Sequence, residues 1–156
     1  MDELKKSVVT GVLVKHPDGR LLLVKKPADV GPYKGHYLTP GGGVETGELA
    51  DEAALRELYE ETGVKVINLK RVFFDDDITE NWQGVPRHYI MLMYTADYAS
   101  GDLRPTEGDD DNLEVIQWFT VEELQTLPLS SPLVKLLKAT GYLPKTDSNI
   151  AQTATS

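Results

Sequence analysis

Three glutamates, Glu57, Glu60 and Glu61, stand at i, i+3 and i+4 in the run ALRELYEETGV, with Arg56 directly before them. On a helix that spacing puts the three carboxylates on one face with Ala53, while Leu55, Leu58 and Tyr59 point to the other side. Ionised carboxylates about 6 Å apart repel by roughly 3 kcal/mol per pair at an effective dielectric near 20, so a cation must lie among them. The adjacent sequence offers only Arg56. Hard oxygen donors of this kind suit Mg²⁺ or Mn²⁺, and Mg²⁺ takes one or two protein carboxylates, leaving places for water and phosphate. Upstream, Gly41, Gly42 and Gly43 follow Pro40. Lacking β-carbons, they let backbone come close to a cation or to a phosphate beside it.

Acidic helices ending in glycine are commonly solvated faces with a glycine cap. What separates this one is the frame around it: Gly42, five residues, Glu48, seven residues, Arg56-Glu57-Leu58, one residue, Glu60-Glu61, one residue, Gly63-Val64. Seven fixed residues, each drawn at about 7%, match a given window on the order of once in 10⁸. The pattern is identified as a Nudix box, and the chain resembles the Nudix (MutT-like) hydrolases.

That resemblance implies an α/β fold, an αβα sandwich with a mixed β-sheet between helices, over residues 5–140, with 141–156 as a flexible tail. It implies Mg²⁺ (or Mn²⁺) as cofactor, held by the carbonyl of Gly42 and by Glu57, Glu60 and Glu61, with Glu57, Glu60 and Arg56 as the catalytic group and Arg56 orienting a carboxylate. The implied reaction is hydrolysis of the pyrophosphate bond of a nucleoside diphosphate linked to another group X: a nucleoside triphosphate, ADP-ribose or a nucleotide sugar. Metal neutralises phosphate charge and lowers the pKa of a bound water, while a carboxylate takes its proton. Glu57 is one candidate base. Many members instead draw an acid from a loop six residues before a strand tryptophan, and six before Trp118 is Asn112. That departure leaves Asp109, Asp110, Asp111 and Glu114 as loop candidates. The alternative is a catalytically inactive Nudix-fold nucleotide-binding module, although none of the expected carboxylates is replaced.

Composition agrees with a small-molecule enzyme. The 156 residues, 40% hydrophobic and 26% charged, suit one soluble domain. No apolar run is long enough to span a membrane and no secretory signal is evident, so a cytoplasmic address is expected. The absence of cysteine excludes disulfides and thiolate chemistry. His16, His36 and His88 show no metal-binding spacing. A net charge of -9 argues against nucleic acid as partner but not against a phosphorylated small molecule, since a divalent cation and local lysines reverse the sign where it matters. A homodimer is allowed.

The elements that must position these residues follow from the pattern. Ala50 to Thr62 reads as a helix capped by Gly63. Residues 7–15 and 20–26 read as a hairpin across His16-Pro17-Asp18-Gly19, with His16 as scaffold. The loop 25–36 carries Lys25, Lys26, Tyr33 and Lys34; of these, Tyr33 and Lys34 lie nearest the glycines and are taken as substrate-binding. Short strands are expected at 37–39 and 43–45, longer ones at 65–74 and 87–98. Between the longer ones a polar turn, 75–86, holds Asp75, Asp76 and Asp77. It also holds Trp82, which must stack on a base or pack on its own domain or on a dimer partner. A strand at 113–119 with Val115 and Trp118 buried, then helices at 122–127, capped by Thr120, and 132–140, complete the chain.

Overall fold

Two valine- and leucine-rich runs, β1 (Lys6–Lys15) and β2 (Leu21–Lys25), form the centre of the sheet. The computed structural model describes residues 3–27, 31–106 and 113–145. At the expected hairpin turn Gly19 takes φ +95°, a left-handed conformation that glycine adopts without a β-carbon penalty, and its N–H closes on the His16 carbonyl at 2.8 Å. His16 stacks on Tyr98 with ring centroids 5.0 Å apart, a scaffold position.

Strands β1 and β2 pair at Lys15↔Leu21 and then separate. Along its whole length β2 pairs with β6 (Val115–Phe119), and its other edge takes β3 (Tyr37–Leu38). Beyond the split, β1 lies parallel to β5 (Pro86–Ser100), in register from Lys6↔His88 to Lys15↔Asp97, and β4 (Lys65–Glu80) closes that side antiparallel to β5. The edge of β1 that β2 abandons does not stay bare. Residues 40–44 fill it, with Val12 N–H donating to the Pro40 carbonyl, Thr10 N–H to Gly42 and Val44 N–H to Val8, at 2.8–3.0 Å.

Helices cover both faces, as expected for an αβα sandwich. Alternation along the strands sends Val12, Val14, Leu22 and Tyr94 to one side, where α1 (Ala50–Thr62) buries Ala54 and Leu58. It sends Leu13, Leu21, Leu23, Met91 and Met93 to the other, against Leu133, Leu136 and Leu137 of α2 (Ser131–Ala139). Each fully buried leucine contributes about 2 kcal/mol relative to an exposed one. A 3-10 helix, Glu122–Thr126, is capped as expected: the Thr120 hydroxyl accepts the Glu123 N–H at 3.2 Å. Among the described residues no helix is long and apolar enough to cross a membrane.

Four expectations need correction. At 43–45 there is no strand, only an isolated bridge of Gly43 to Val9. The polar turn at 75–86 is only 81–85: β4 runs through Glu80, because Asp75, Asp76 and Asp77 each find a partner in Lys135, His88 and Tyr33 that offsets the poor strand propensity of aspartate. In β6 it is Phe119 that is buried, while Val115 and Trp118 are half-buried. Tyr142 and Leu143, placed in the expected tail, donate their N–H groups back to the Leu137 carbonyl at 2.9 and 3.3 Å; residues 146–156 of that tail lie outside the described residues.

Gly63 ends α1 at φ +84°, and a β-carbon there would lie 2.5 Å from the Asp102 carbonyl oxygen, whereas one at Gly19 would meet nothing within 4 Å. Gly63→Ala is therefore expected to lose roughly 2 kcal/mol or more, about 6 °C in Tm. Gly19→Ala should lose less, since it meets the backbone cost without the clash. Thermal melts of the two variants measure the difference, and equal losses would show that the contact with Asp102 is unimportant.

Candidate active site

Arg56 is the hub of the acidic turn. Its Nε and Nη2 donate to both oxygens of Glu48 at 2.6 and 2.8 Å, its Nη1 to Glu57 and Glu60 at 3.0 Å each, and its Nη2 also to the Gly43 carbonyl at 3.1 Å. The paired geometry on Glu48 is the strong, planar form of the arginine–carboxylate bond. It holds the Glu48 carboxyl at about 2, with the Glu45 N–H adding a smaller pull in the same direction, and it raises the pKa of Arg56 well above its usual value.

Gly42 is hemmed in by an acid and Gly41 by the backbone of β1. A β-carbon on Gly42 would lie 2.3 Å from Glu57 Oε1, and one on Gly41 only 1.9 Å from the Thr10 carbonyl. Glu61 is buried at 7% exposure and accepts the Gly41 N–H at 3.0 Å, tying the helix to the glycine segment. Glu60, by contrast, is 56% exposed in its side chain. The acidic side of α1 thus packs against residues 40–43, and the expected division of the helix is only partly right. Leu58 and Ala54 face the sheet, but Leu55 and Tyr59 are exposed, Tyr59 lying between the cations of Lys65 and Arg104.

The carbonyl of Gly42, expected among the metal ligands, is turned to β1. It accepts the Thr10 N–H at 2.8 Å and the Thr10 hydroxyl at 3.1 Å, so both lone pairs are engaged and it reaches a cation only if the hydroxyl lets go. Among the described residues no three acidic or histidine side chains already converge on a metal position. Glu57 and Glu60 instead share the Nη1 of Arg56. The chemistry of this all-oxygen donor set fits Mg²⁺ or Mn²⁺.

Beside the glycines opens a cleft of about 220 Å³, lined by Thr10, Thr39 and Gly41–Gly43 on one side and by Tyr89, Met91, Met93 and Leu133 on the other. Tyr33 and Trp82 line it. The Tyr33 hydroxyl donates to Asp77 at 2.8 Å, and burial followed by that bond raises its pKa, keeping it a neutral donor. Trp82 is 36% exposed, with Gly31 against its ring and the Lys26 ammonium 4.7 Å from its centroid. Lys34 does not reach the cleft: it pairs with Glu80 at 3.0 Å and lines a separate recess. Lys26 lines the cleft in its place; the sequence showed it only as one lysine of the loop. Glu114 pairs with Lys25 at 3.5 Å on the β2–β6 edge. Asp111, with Asp109 and Asp110, lies outside the described residues.

Comparison with known proteins agrees with this geometry. The NUDIX domain profile matches residues 5–139. The NAD-capped RNA hydrolase NudC of Chromobacterium violaceum is 39% identical over 118 residues, 76% of this chain and 39% of that protein. The ADP-ribose pyrophosphatase of Methanocaldococcus jannaschii is 38% identical over 105 residues, 65% of this chain and 55% of that one. Among solved structures, a MutT NUDIX hydrolase from Burkholderia pseudomallei superposes with a TM-score of 0.72 at 27% identity, covering 86% of this chain and 98% of its own. The chain spans about two fifths of the length of the NudC relatives it matches. With the profile matching residues 5–139 and Arg56 drawing Glu48, Glu57 and Glu60 of the box together, the chain belongs to the Nudix (MutT-like) hydrolase family.

Proposed function

We propose that residues 5–140 form a Mg²⁺-dependent pyrophosphohydrolase acting on a nucleoside diphosphate linked to a group X. The observation that carries this reading is the convergence of Glu57 and Glu60 on a single positive group beside a cleft floored by β-carbon-free backbone. An NAD cap and ADP-ribose, in the names of two relatives, share an adenosine diphosphate, which supports trying ADP-ribose ahead of nucleoside triphosphates and nucleotide sugars.

Glu57, Glu60 and Glu61 would hold the cation, joined by the Gly42 carbonyl once Thr10 releases it. When bound, the cation neutralises phosphate charge and lowers the pKa of a coordinated water. Glu57 accepts the proton of the attacking water; Glu61 keeps the glycine segment in place through Gly41. Arg56, anchored by Glu48, aligns the carboxylates of Glu57 and Glu60 and prevents their mutual repulsion from splaying the turn. The Tyr89, Met91 and Met93 wall supplies apolar contact for a base.

Purified protein incubated with ADP-ribose, nucleoside triphosphates and nucleotide sugars should cleave at least one at the pyrophosphate bond, lose that activity in EDTA and recover it with Mg²⁺. Glu60→Gln should lower turnover roughly a hundredfold or more. Its Tm should move by only about 2 °C, since the side chain is largely exposed. Unchanged turnover would remove Glu60 from the site, and absence of cleavage across the panel would leave the inactive nucleotide-binding reading.

Acid should expose the anchor. Because Arg56 holds the Glu48 carboxyl at about 2 against an ordinary 4.5, its stabilising contribution is complete above about 4.5 and is lost as pH falls through 2. The Tm gap between wild type and Glu48→Gln should therefore narrow as pH is lowered from 5 to about 2.5. A gap independent of pH would show that the charge on Glu48 does not matter.

A further inference from the structure

We propose that Lys26 is the anion-binding residue of the cleft, taking an oxygen of the substrate's diphosphate, and that Trp82 positions Lys26 rather than stacking on the base. This rests on the hydrolase reading only for the class of ligand, a nucleoside diphosphate. Lys26 is the one charged side chain lining the cleft among the described residues. The other lysines of this region are committed to carboxylates, Lys25 to Glu114 at 3.5 Å, Lys34 to Glu80 at 3.0 Å and Lys135 to Asp75 at 3.0 Å, while among the described residues Lys26 has no carboxylate within ion-pair distance. In a chain of net charge -9, with four acids around Arg56 nearby, an anion entering the cleft needs a local cation.

Trp82 explains how that cation is kept available. The Lys26 ammonium lies 4.7 Å from the centroid of the Trp82 ring, within cation–π range. A ring face steers the ammonium but accepts none of its three N–H groups as a carboxylate would, so they remain for a phosphate oxygen. The ring itself is clamped. Gly31 presses on it so closely that a β-carbon there would lie 2.6 Å away. Stacking a base on this ring would mean displacing Gly31 or Lys26, whereas the Tyr89, Met91 and Met93 wall receives a base without any such displacement.

Calorimetric titration of ADP with Mg²⁺ into wild type, Lys26→Met, Trp82→Leu and the double variant, each checked by thermal melt, tests both parts. Lys26→Met should weaken binding about tenfold or more, and its affinity should fall less steeply with salt. Trp82→Leu should weaken binding similarly, with the double variant no weaker than Lys26→Met alone. Lys26→Arg and Trp82→Phe, which keep the cation and the ring face, should recover most of the loss. On ADP-ribose, Lys26→Met should raise KM while kcat stays within about threefold. Wild-type affinity in Lys26→Met, or no ADP binding by the wild type, overturns the proposal. Losses that multiply in the double variant overturn the role given to Trp82. If the wild type binds ADP but cleaves nothing, the hydrolase reading fails and the titration alone decides on Lys26.

Discussion

Like-charge repulsion within one helical turn is the constraint to which the rest of this structure answers. Glu57, Glu60 and Glu61 would push one another apart, and Glu48 and Glu45 bring further negative charge to the same place. Arg56 resolves the conflict with one planar group whose donors are divided among four acids and a backbone carbonyl. Lysine could not replace it, because a point charge with three rotatable donors fixes neither the paired geometry on Glu48 nor the angle to Glu57 and Glu60.

The second requirement is a place for backbone among these acids, and it comes from a fault in the sheet. Strands β1 and β2 share one residue pair and then part, so the inner edge of β1 presents unpaired N–H and carbonyl groups. Residues 40–44 satisfy them, which brings the glycines between β1 and the acidic side of α1. The same opening shapes the cleft, whose far wall is the α2-facing side of β5. The acids, the glycines and the cleft are thus consequences of one departure from regular pairing.

The sequence made the box and its helix plain because both depend on local spacing: a period of 3.6 for the acids, a left-handed cap at Gly63, a fixed frame upstream. It made the layered α/β architecture plain through apolar alternation. What it could not show depends on contacts remote in sequence. Aspartates at 75–77 looked like a turn until Lys135, His88 and Tyr33 were placed beside them, and Lys34 is drawn from the cleft by Glu80, 46 residues away. The Gly42 carbonyl is held by Thr10, 32 residues away, which no motif encodes.

The parallel pairing of β1 with β5 joins residues some 80 positions apart, whereas Arg56 reaches Glu48 across 8. Distant strand pairing forms slowly, since the loop must close before the contact rewards it. During biosynthesis, then, the arginine-centred turn can assemble as a local nucleus long before β5 emerges, and the cleft is completed only when the last-arriving wall docks. The acids around Arg56 depend on contacts close in sequence, whereas the cleft needs walls from both β5 and α2.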